Sequence, residues 1–75
     1  MTVLEMDFRK LTGRIVEMYG TRAAFGTAMN LNPEQLSRRL NGRTPFTTGE
    51  IILALELLEI HPRDIGVYFF TQKVR

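Results

Sequence analysis

The sequence contains no cysteine, a single histidine and a single serine. The lack of cysteine excludes disulfide bonds and thiolate metal sites. A catalytic serine–histidine pair needs both side chains within hydrogen-bonding reach and a third group that orients the base. Nothing near Ser37 or His61 indicates this arrangement, and His61 is better explained as a surface residue or a helix start. With no phosphate loop and no metal-ligand spacing either, we expect no enzymatic activity, no catalytic residue, no cofactor and no metal.

Long hydrophobic runs are also absent, since no apolar segment approaches the roughly 20 residues that a membrane span needs. The N-terminal MTVLEMDF has neither the basic start nor the apolar core of a signal peptide. The sequence therefore predicts a cytoplasmic protein without membrane contact. Its 75 residues are 44% hydrophobic and 24% charged, a composition typical of one small globular domain, here spanning residues 1–75.

The net charge is only +2, but it is unevenly distributed along the chain. Residues 9–43 contain seven cations against Glu17 and Glu34, which gives +5, whereas residues 1–8 carry −2 and residues 44–75 carry −1. Eight of the ten cations are arginine, the side chain suited to bidentate contacts with phosphate and guanine. Because many protein surfaces are basic by chance, this distribution alone is weak evidence for a nucleic-acid partner.

Hydrophobic periodicity predicts helices nearly throughout the chain. The first helix is expected at about 7–19, with Asp7 as its N-cap and Gly20 as its stop. The second begins after Thr21 and ends at Asn30, a residue that tolerates a left-handed turn. Its inward residues are expected to be Phe25, Ala28 and Met29.

The start signals of the next two helices are stronger. Asn32, Pro33 and Gln35 form a capping-box-like start for a third helix that runs to about Asn41. The T-x-x-E pattern of residues 47–50 starts a fourth helix, which is apolar around much of its girth and is therefore expected to be central and buried. A short fifth helix is predicted from about 61 to 67, and the only strand-like segment lies around 68–74.

Only Asn30, Leu31 and Asn32 separate the second helix from the third. Two short helices joined by so tight a turn must cross steeply, as in a helix-turn-helix. Gly26 is small at the point where the third helix would approach most closely. A buried seam is expected from Leu31, Leu36 and Leu40.

If that leucine seam points inward, Glu34 and Arg38 lie at the centre of the exposed face of the third helix. Such a polar face could read base edges in a major groove, but an ordinary solvated helix surface looks the same. Arg22 favours the first interpretation, because a cation in the first turn opposes the helix dipole by roughly 0.3–1 kcal/mol unless it meets an anion such as phosphate.

The segment TRAAFGTAMNLNPEQLSRRLNGR, residues 21–43, resembles without gaps the helix-turn-helix of the phage repressor and Cro-like regulators. The positions that fit are Thr21, Phe25, Met29, Leu31, Leu36, Ser37, Leu40, Asn41, Gly42 and Arg43. The resemblance implies an all-α fold: a compact bundle of about five short helices, of the lambda-repressor-like DNA-binding type, with the helix-turn-helix at about 21–41.

The resemblance also implies which residues would touch DNA. Phosphate contacts fall to Arg22, Asn41 and Arg43, and base-edge contacts fall to Pro33, Glu34, Gln35, Ser37 and Arg38. Arg39 belongs to the candidate DNA-binding set, although its position nearer the core favours the backbone or a neighbouring helix. Glu34 would repel phosphate unless it accepts a hydrogen bond from cytosine, and an acid that stabilises the helix dipole explains it as well.

Two functions remain open. The first is a sequence-specific transcriptional regulator of phage or prophage type, which binds double-stranded DNA through residues 33–41. It would act as a homodimer, joined through Tyr68, Phe69 and Phe70 in the tail 68–75, unless these aromatic residues simply cover the core. The alternative is a protein-binding modulator or antirepressor that docks on another phage repressor and binds DNA weakly or not at all.

Overall fold

The computed structural model describes residues 5–73, and in this part of the chain the fold is all-α, as predicted. The helices are α1 (Arg9–Tyr19), α2 (Arg22–Ala28), α3 (Pro33–Leu40), α4 (Thr48–Leu57) and α5 (Ile65–Phe69), the last preceded by a 3₁₀ turn at Pro62–Asp64. The longest has 11 residues, and none of these helices is long and apolar enough to cross a bilayer. The segment around 68–74, which looked strand-like in the sequence, forms one antiparallel β-bridge, between Met6 and Gln72.

Four of the five predicted starts are confirmed by their caps. The Thr21 hydroxyl accepts a hydrogen bond from the backbone N–H of Ala24 at 3.1 Å and starts α2. Complete capping boxes start α3 at Asn32 and α4 at Thr47. The ring of His61 accepts a hydrogen bond from the N–H of Arg63, so this histidine starts the 3₁₀ turn, as its position before Pro62 indicated.

The predicted N-cap of α1, Asp7, lies one residue before the observed N-cap, Phe8. The helix begins at Arg9 after Phe8, which provides no side-chain cap. The Asp7 carboxylate instead accepts from both the backbone N–H and the guanidinium of Arg9, at 2.7–3.1 Å. These side-chain and backbone hydrogen bonds lower the pKa of Asp7 to about 2. The acid is thus held by the first helical residue and not within the helix.

The core draws on every helix, with residues of the connections completing it. Its buried members are Leu11, Ile15, Phe25, Met29, Leu36, Leu40, Ala54, Leu55, Leu58, Ile60 and Phe69. The expected leucine seam is present, with Leu31 half-buried against this cluster. Ala28, predicted to point inward, is exposed. The other two residues predicted to point inward from this helix, Phe25 and Met29, are buried.

The prediction that α4 is buried around its girth is wrong. Its inner side buries Ala54 and Leu55, but Ile52 is 61% exposed and Leu53 is 36% exposed. A domain of this size has too few elements to cover both sides of a helix. An apolar outer face therefore remains on α4, and it was not expected from the sequence.

The tail aromatic residues divide between core and surface. Phe69 is 3% exposed, Tyr68 is half-buried against the core, and Phe70 is 54% exposed. The interpretation of all three as one dimer surface is therefore wrong for Phe69, whose ring packs edge-on against Phe46. The segment is anchored by a hydrogen bond from the N–H of Asp7 to the carbonyl of Thr71 at 2.6 Å; residues 74–75 of the predicted tail lie outside the described range.

Candidate functional site

The turn between α2 and α3 holds these two short helices in contact. Asn30 adopts the left-handed conformation with φ of 59°, as its position predicted. The N–H of Leu31 donates to the carbonyl of Gly26 at 2.8 Å, and the N–H of Asn30 donates to that of Thr27 at 3.1 Å. This pair of bonds is a Schellman motif, which satisfies the last carbonyls of a helix while turning the chain. The helix-turn-helix geometry is therefore present.

Gly26 is the contact point of the crossing. A Cβ atom at this position would lie 3.0 Å from the carbonyl oxygen of Leu31 and 3.4 Å from Cδ2 of Leu36. The first distance is too short for a carbon–oxygen contact, and the backbone of Leu31 cannot move aside as a flexible side chain could. The absence of a side chain thus allows α3 to approach α2, as the sequence indicated.

The end of α3 is closed by a second Schellman motif, which sets the position of Arg43. Gly42 has φ of 75°, the N–H of Arg43 donates to the carbonyl of Arg38 at 2.9 Å, and the N–H of Gly42 donates to that of Arg39 at 3.1 Å. Glycine adopts this left-handed backbone without steric cost. Arg43 therefore leaves the helix immediately after its last turn, with its side chain exposed.

The exposed face of α3 is centred on an ion pair. The guanidinium of Arg38 donates to the carboxylate of Glu34 at 2.6 Å, and the two side chains are 59% and 73% exposed. Their i, i+4 spacing, with the acid first, is a signal that the sequence already contained. The centre of the predicted reading face is therefore electrically neutral overall.

The polar neighbours of that pair are partly engaged within the helix. The side-chain oxygen of Gln35 accepts from the N–H of Asn32 at 2.9 Å as half of the capping box. The side-chain amide of Asn41 donates to the hydroxyl of the half-buried Ser37 at 3.3 Å. Pro33 is exposed at the start of the helix and offers only apolar contact. The side-chain amide NH₂ group of Gln35 remains a donor directed away from the capping bond.

Arg39, one of the DNA-binding candidates, lies at the joint between α3 and α4. Its Nε donates to the Glu50 carboxylate at 2.8 Å, with side-chain exposures of 14% and 18%. A second nitrogen donates to the carbonyl of Gln35 at 3.1 Å. The hydrogen bond from Arg39 lowers the pKa of Glu50, although partial burial opposes the shift. This arginine holds the fold together, as its position nearer the core suggested.

Arg22, at the start of α2, and Arg43, just after the end of α3, are available to an anion. Both are exposed, and within residues 5–73 neither forms an ion pair. Arg22 lies at the first position of α2, whose first turn contains no acid. Both could therefore meet phosphate without breaking an ion pair between described residues.

A cleft of about 470 Å³ opens beside the C-terminal end of α3. Its walls include the aromatic rings of Phe8, Phe46, Phe69 and Phe70, and Asn41 and Gly42 form one edge. The rings interlock, since Phe8 and Phe46 lie edge-on with centroids 5.6 Å apart. In the part of the chain that the structure covers, no group of His, Asp and Glu side chains is arranged to hold a metal ion.

Comparison with known proteins identifies the family. Residues 4–72 match the family described as "Protein of unknown function (DUF739)", and the chain belongs to this family. The structure is similar to the solution structure of the modulator of repression (MOR) of the temperate bacteriophage TP901-1 from Lactococcus lactis, with 38% sequence identity and a TM-score of 0.79. That match covers 95% of this chain and 96% of the other. No curated protein matches the chain.

These findings refine the resemblance drawn from residues 21–43. Similarity to a small regulatory protein of a phage is confirmed by the match to the modulator of repression. Membership of the repressor and Cro-like family is not confirmed, because the family that matches is a different one.

Proposed function

We propose that this protein is a small regulator of phage type that acts by binding a repressor protein and does not itself read operator DNA. The observation that carries this proposal is the Glu34–Arg38 pair at the centre of the exposed face of α3. A recognition helix presents donors and cations to base edges and phosphates. Here the central arginine is matched by an acid on the same face.

The strength of the pair matters less than the position of its acid. An exposed i, i+4 pair contributes only about 0.3–0.5 kcal/mol, so a guanine could draw Arg38 away at little cost. The Glu34 carboxylate would nevertheless stay on the face, close to the phosphates of a bound duplex. Unless it met a cytosine amino group, this acid would oppose DNA binding at every sequence.

The similarity to a modulator of repression supports the same proposal. Identity of 38% over 95% of the chain covers all five helices and the turn between α2 and α3. A protein that modulates repression need not contact the operator, since it can change the activity of the repressor that does. A helix-turn-helix with a neutral outer face is consistent with that role.

Direct DNA binding is the second candidate, and Arg22 and Arg43 favour it. Both are exposed and lack an ion-pair partner within residues 5–73. A homodimer reading half-sites about one helical turn apart would be needed to bury enough DNA surface. Of the three aromatic tail residues, Phe70 is the one exposed enough to contribute to such a dimer.

The two candidates are separated by titrating this protein against two targets. The first is a fluorescent duplex of mixed sequence, between about 50 and 200 mM salt. The second is the purified repressor encoded in the same genome, with and without its operator. We expect a stable complex with the repressor, a change in its operator affinity, and no binding of this protein alone to the duplex at 50 mM salt.

The opposite pattern would refute the proposal. Duplex binding that weakens steeply with salt, together with no complex with the repressor, would establish the DNA-binding candidate. In that case Arg22→Ala and Arg43→Ala should weaken binding to all sequences alike, whereas Arg38→Ala should also reduce sequence preference. Light scattering of the wild type and Phe70→Ser would then show whether the exposed ring forms a dimer.

A further inference from the structure

The outer face of α4 presents two aliphatic side chains, Ile52 at 61% and Leu53 at 36% exposure. Neither is among the hydrophobic residues packed against the core. Helical spacing places Gly49 one turn before them and Glu56 one turn after them, on the same side of the helix. We call these four residues the α4 face.

Helix stability does not explain the isoleucine at position 52. Isoleucine is β-branched and favours a helix less than glutamate, lysine or glutamine does. A polar side chain at position 52 would therefore serve α4 at least as well and would hydrate better. Gly49 faces open space, since a Cβ atom there would meet nothing within 4 Å. Its bare backbone allows another surface to approach the helix closely.

The acids at the end of the α4 face are unengaged, whereas the nearby Arg14, which donates to the Leu58 carbonyl, is neutralised by its ion pair with Glu17. Glu56 is exposed and forms no ion pair in the region from 5 to 73, and the same holds for Glu59 just beyond the helix end. Arg63, the nearest cation along the chain, is also exposed and pairs with neither acid. The face is thus an apolar patch with an acidic edge, and its complement is an apolar patch bordered by lysine or arginine.

We infer that the α4 face docks the repressor partner, on an apolar patch of that protein bordered by basic side chains. This inference rests on the proposed function and names the contact surface for it. A second copy of this chain fits less well. A two-fold interface brings the same patch against itself, which would place the acidic edges of two copies together.

The test measures the affinity of the purified full-length protein for the repressor encoded in the same genome. Ile52→Lys and Glu56→Lys should each weaken binding at least about ten-fold, because a central apolar anchor and a complementary charge are lost. Val67→Lys is the matched control, since Val67 is 42% exposed but lies on α5 beside Arg9 and Lys10. It should change the affinity by less than about two-fold.

Circular dichroism and thermal melting verify that each variant is folded. All three sites are exposed, and if Ile52→Lys unfolds, Ile52→Ser takes its place in the comparison. Glu56→Gln adds a readout that a structural role would not move: it should make the affinity less dependent on salt. Tighter binding of Glu56→Lys would contradict a basic partner patch and overturn the inference.

The remaining outcomes separate the docking face from the proposed function on which it rests. Wild-type binding that neither Ile52→Lys nor Glu56→Lys weakens would overturn the docking face and leave the proposed function standing. Loss of binding in Phe70→Ser, with binding retained in Ile52→Lys, would indicate that the repressor contacts the aromatic cleft. This result would also overturn the α4 face as the docking site. Failure of the wild type to bind the repressor would overturn both.

Discussion

The two sides of α3 use similar residues for opposite purposes. On the outer side Arg38 pairs with Glu34 in water, and on the inner side Arg39 pairs with Glu50 between two helices. The outer pair lies within one helix, so it constrains nothing beyond that helix. The inner pair spans residues 39 and 50 and also involves the cap of α4. Arg38 and Arg39 are adjacent in the sequence, but their roles differ because one side chain faces water and the other faces a second helix.

This comparison predicts that changes on the inner side of α3 lower stability, whereas changes on the outer side alter binding. The largest effect is expected at the α2–α3 contact. Gly26→Val should reduce the free energy of unfolding by about 2–3 kcal/mol, because the new side chain meets the backbone of Leu31. Urea unfolding followed by circular dichroism measures this change.

Gly13→Val is its control. Gly13 also lies within a helix, but a Cβ atom there meets nothing within 4 Å. Its variant should therefore be neutral or slightly stabilising, by less than about 1 kcal/mol. Equal losses at both positions would mean that backbone propensity, and not the close approach, sets the cost.

Breaking the inner ion pair should cause the next largest loss in the free energy of unfolding. Arg39→Met should lower the free energy of unfolding by about 1–2 kcal/mol at pH 7, between the values typical of exposed and of fully buried pairs. Glu50→Gln, which keeps a hydrogen-bonding side chain at the cap, tests the same contact from the other partner. A double-mutant cycle between the two substitutions measures the coupling.

The same pair predicts a pH dependence. The pKa of Glu50 is lowered in the folded state, chiefly by the hydrogen bond from Arg39. Its contribution to stability is therefore present above the ordinary glutamate pKa of about 4.3 and is lost as the pH falls through the lowered value. The difference in unfolding free energy between wild type and Arg39→Met should shrink below about pH 4.3. A constant difference down to pH 2 would contradict the assignment.

Breaking the outer pair should have the smallest effect on stability and a measurable effect on DNA binding. Glu34→Gln should cost less than about 1 kcal/mol, the sum of a surface pair and a helix-dipole contribution. If the acid is what opposes DNA binding, the variant should bind a mixed duplex several-fold more tightly than the wild type at about 50 mM salt. Glu17→Gln, on α1, is the charge-matched control. An equal gain in both variants would show that only net charge matters.

Much of the local structure could be predicted because it depends on neighbouring residues. The capping boxes at Asn32 and Thr47 and the left-handed Asn30 follow from hydrogen bonds between residues a few positions apart. The Asp7 prediction failed because two local arrangements competed, and the ion pair with Arg9 displaced the start of the helix. The neutral Glu34–Arg38 face could also have been found, since its spacing is local.

What the sequence alone determined is therefore the all-α class, the helix boundaries to within a few residues and the helix-turn-helix of residues 21–41. Tertiary structure decided which apolar side chains are buried. It placed Phe69 in the core and Phe70 at the surface, and it enclosed Arg39 against Glu50. It also left Ile52 and Leu53 exposed on the helix predicted to be central and buried. Periodicity gives the face of a helix on which a residue lies, but only the packing of distant elements determines which faces are covered.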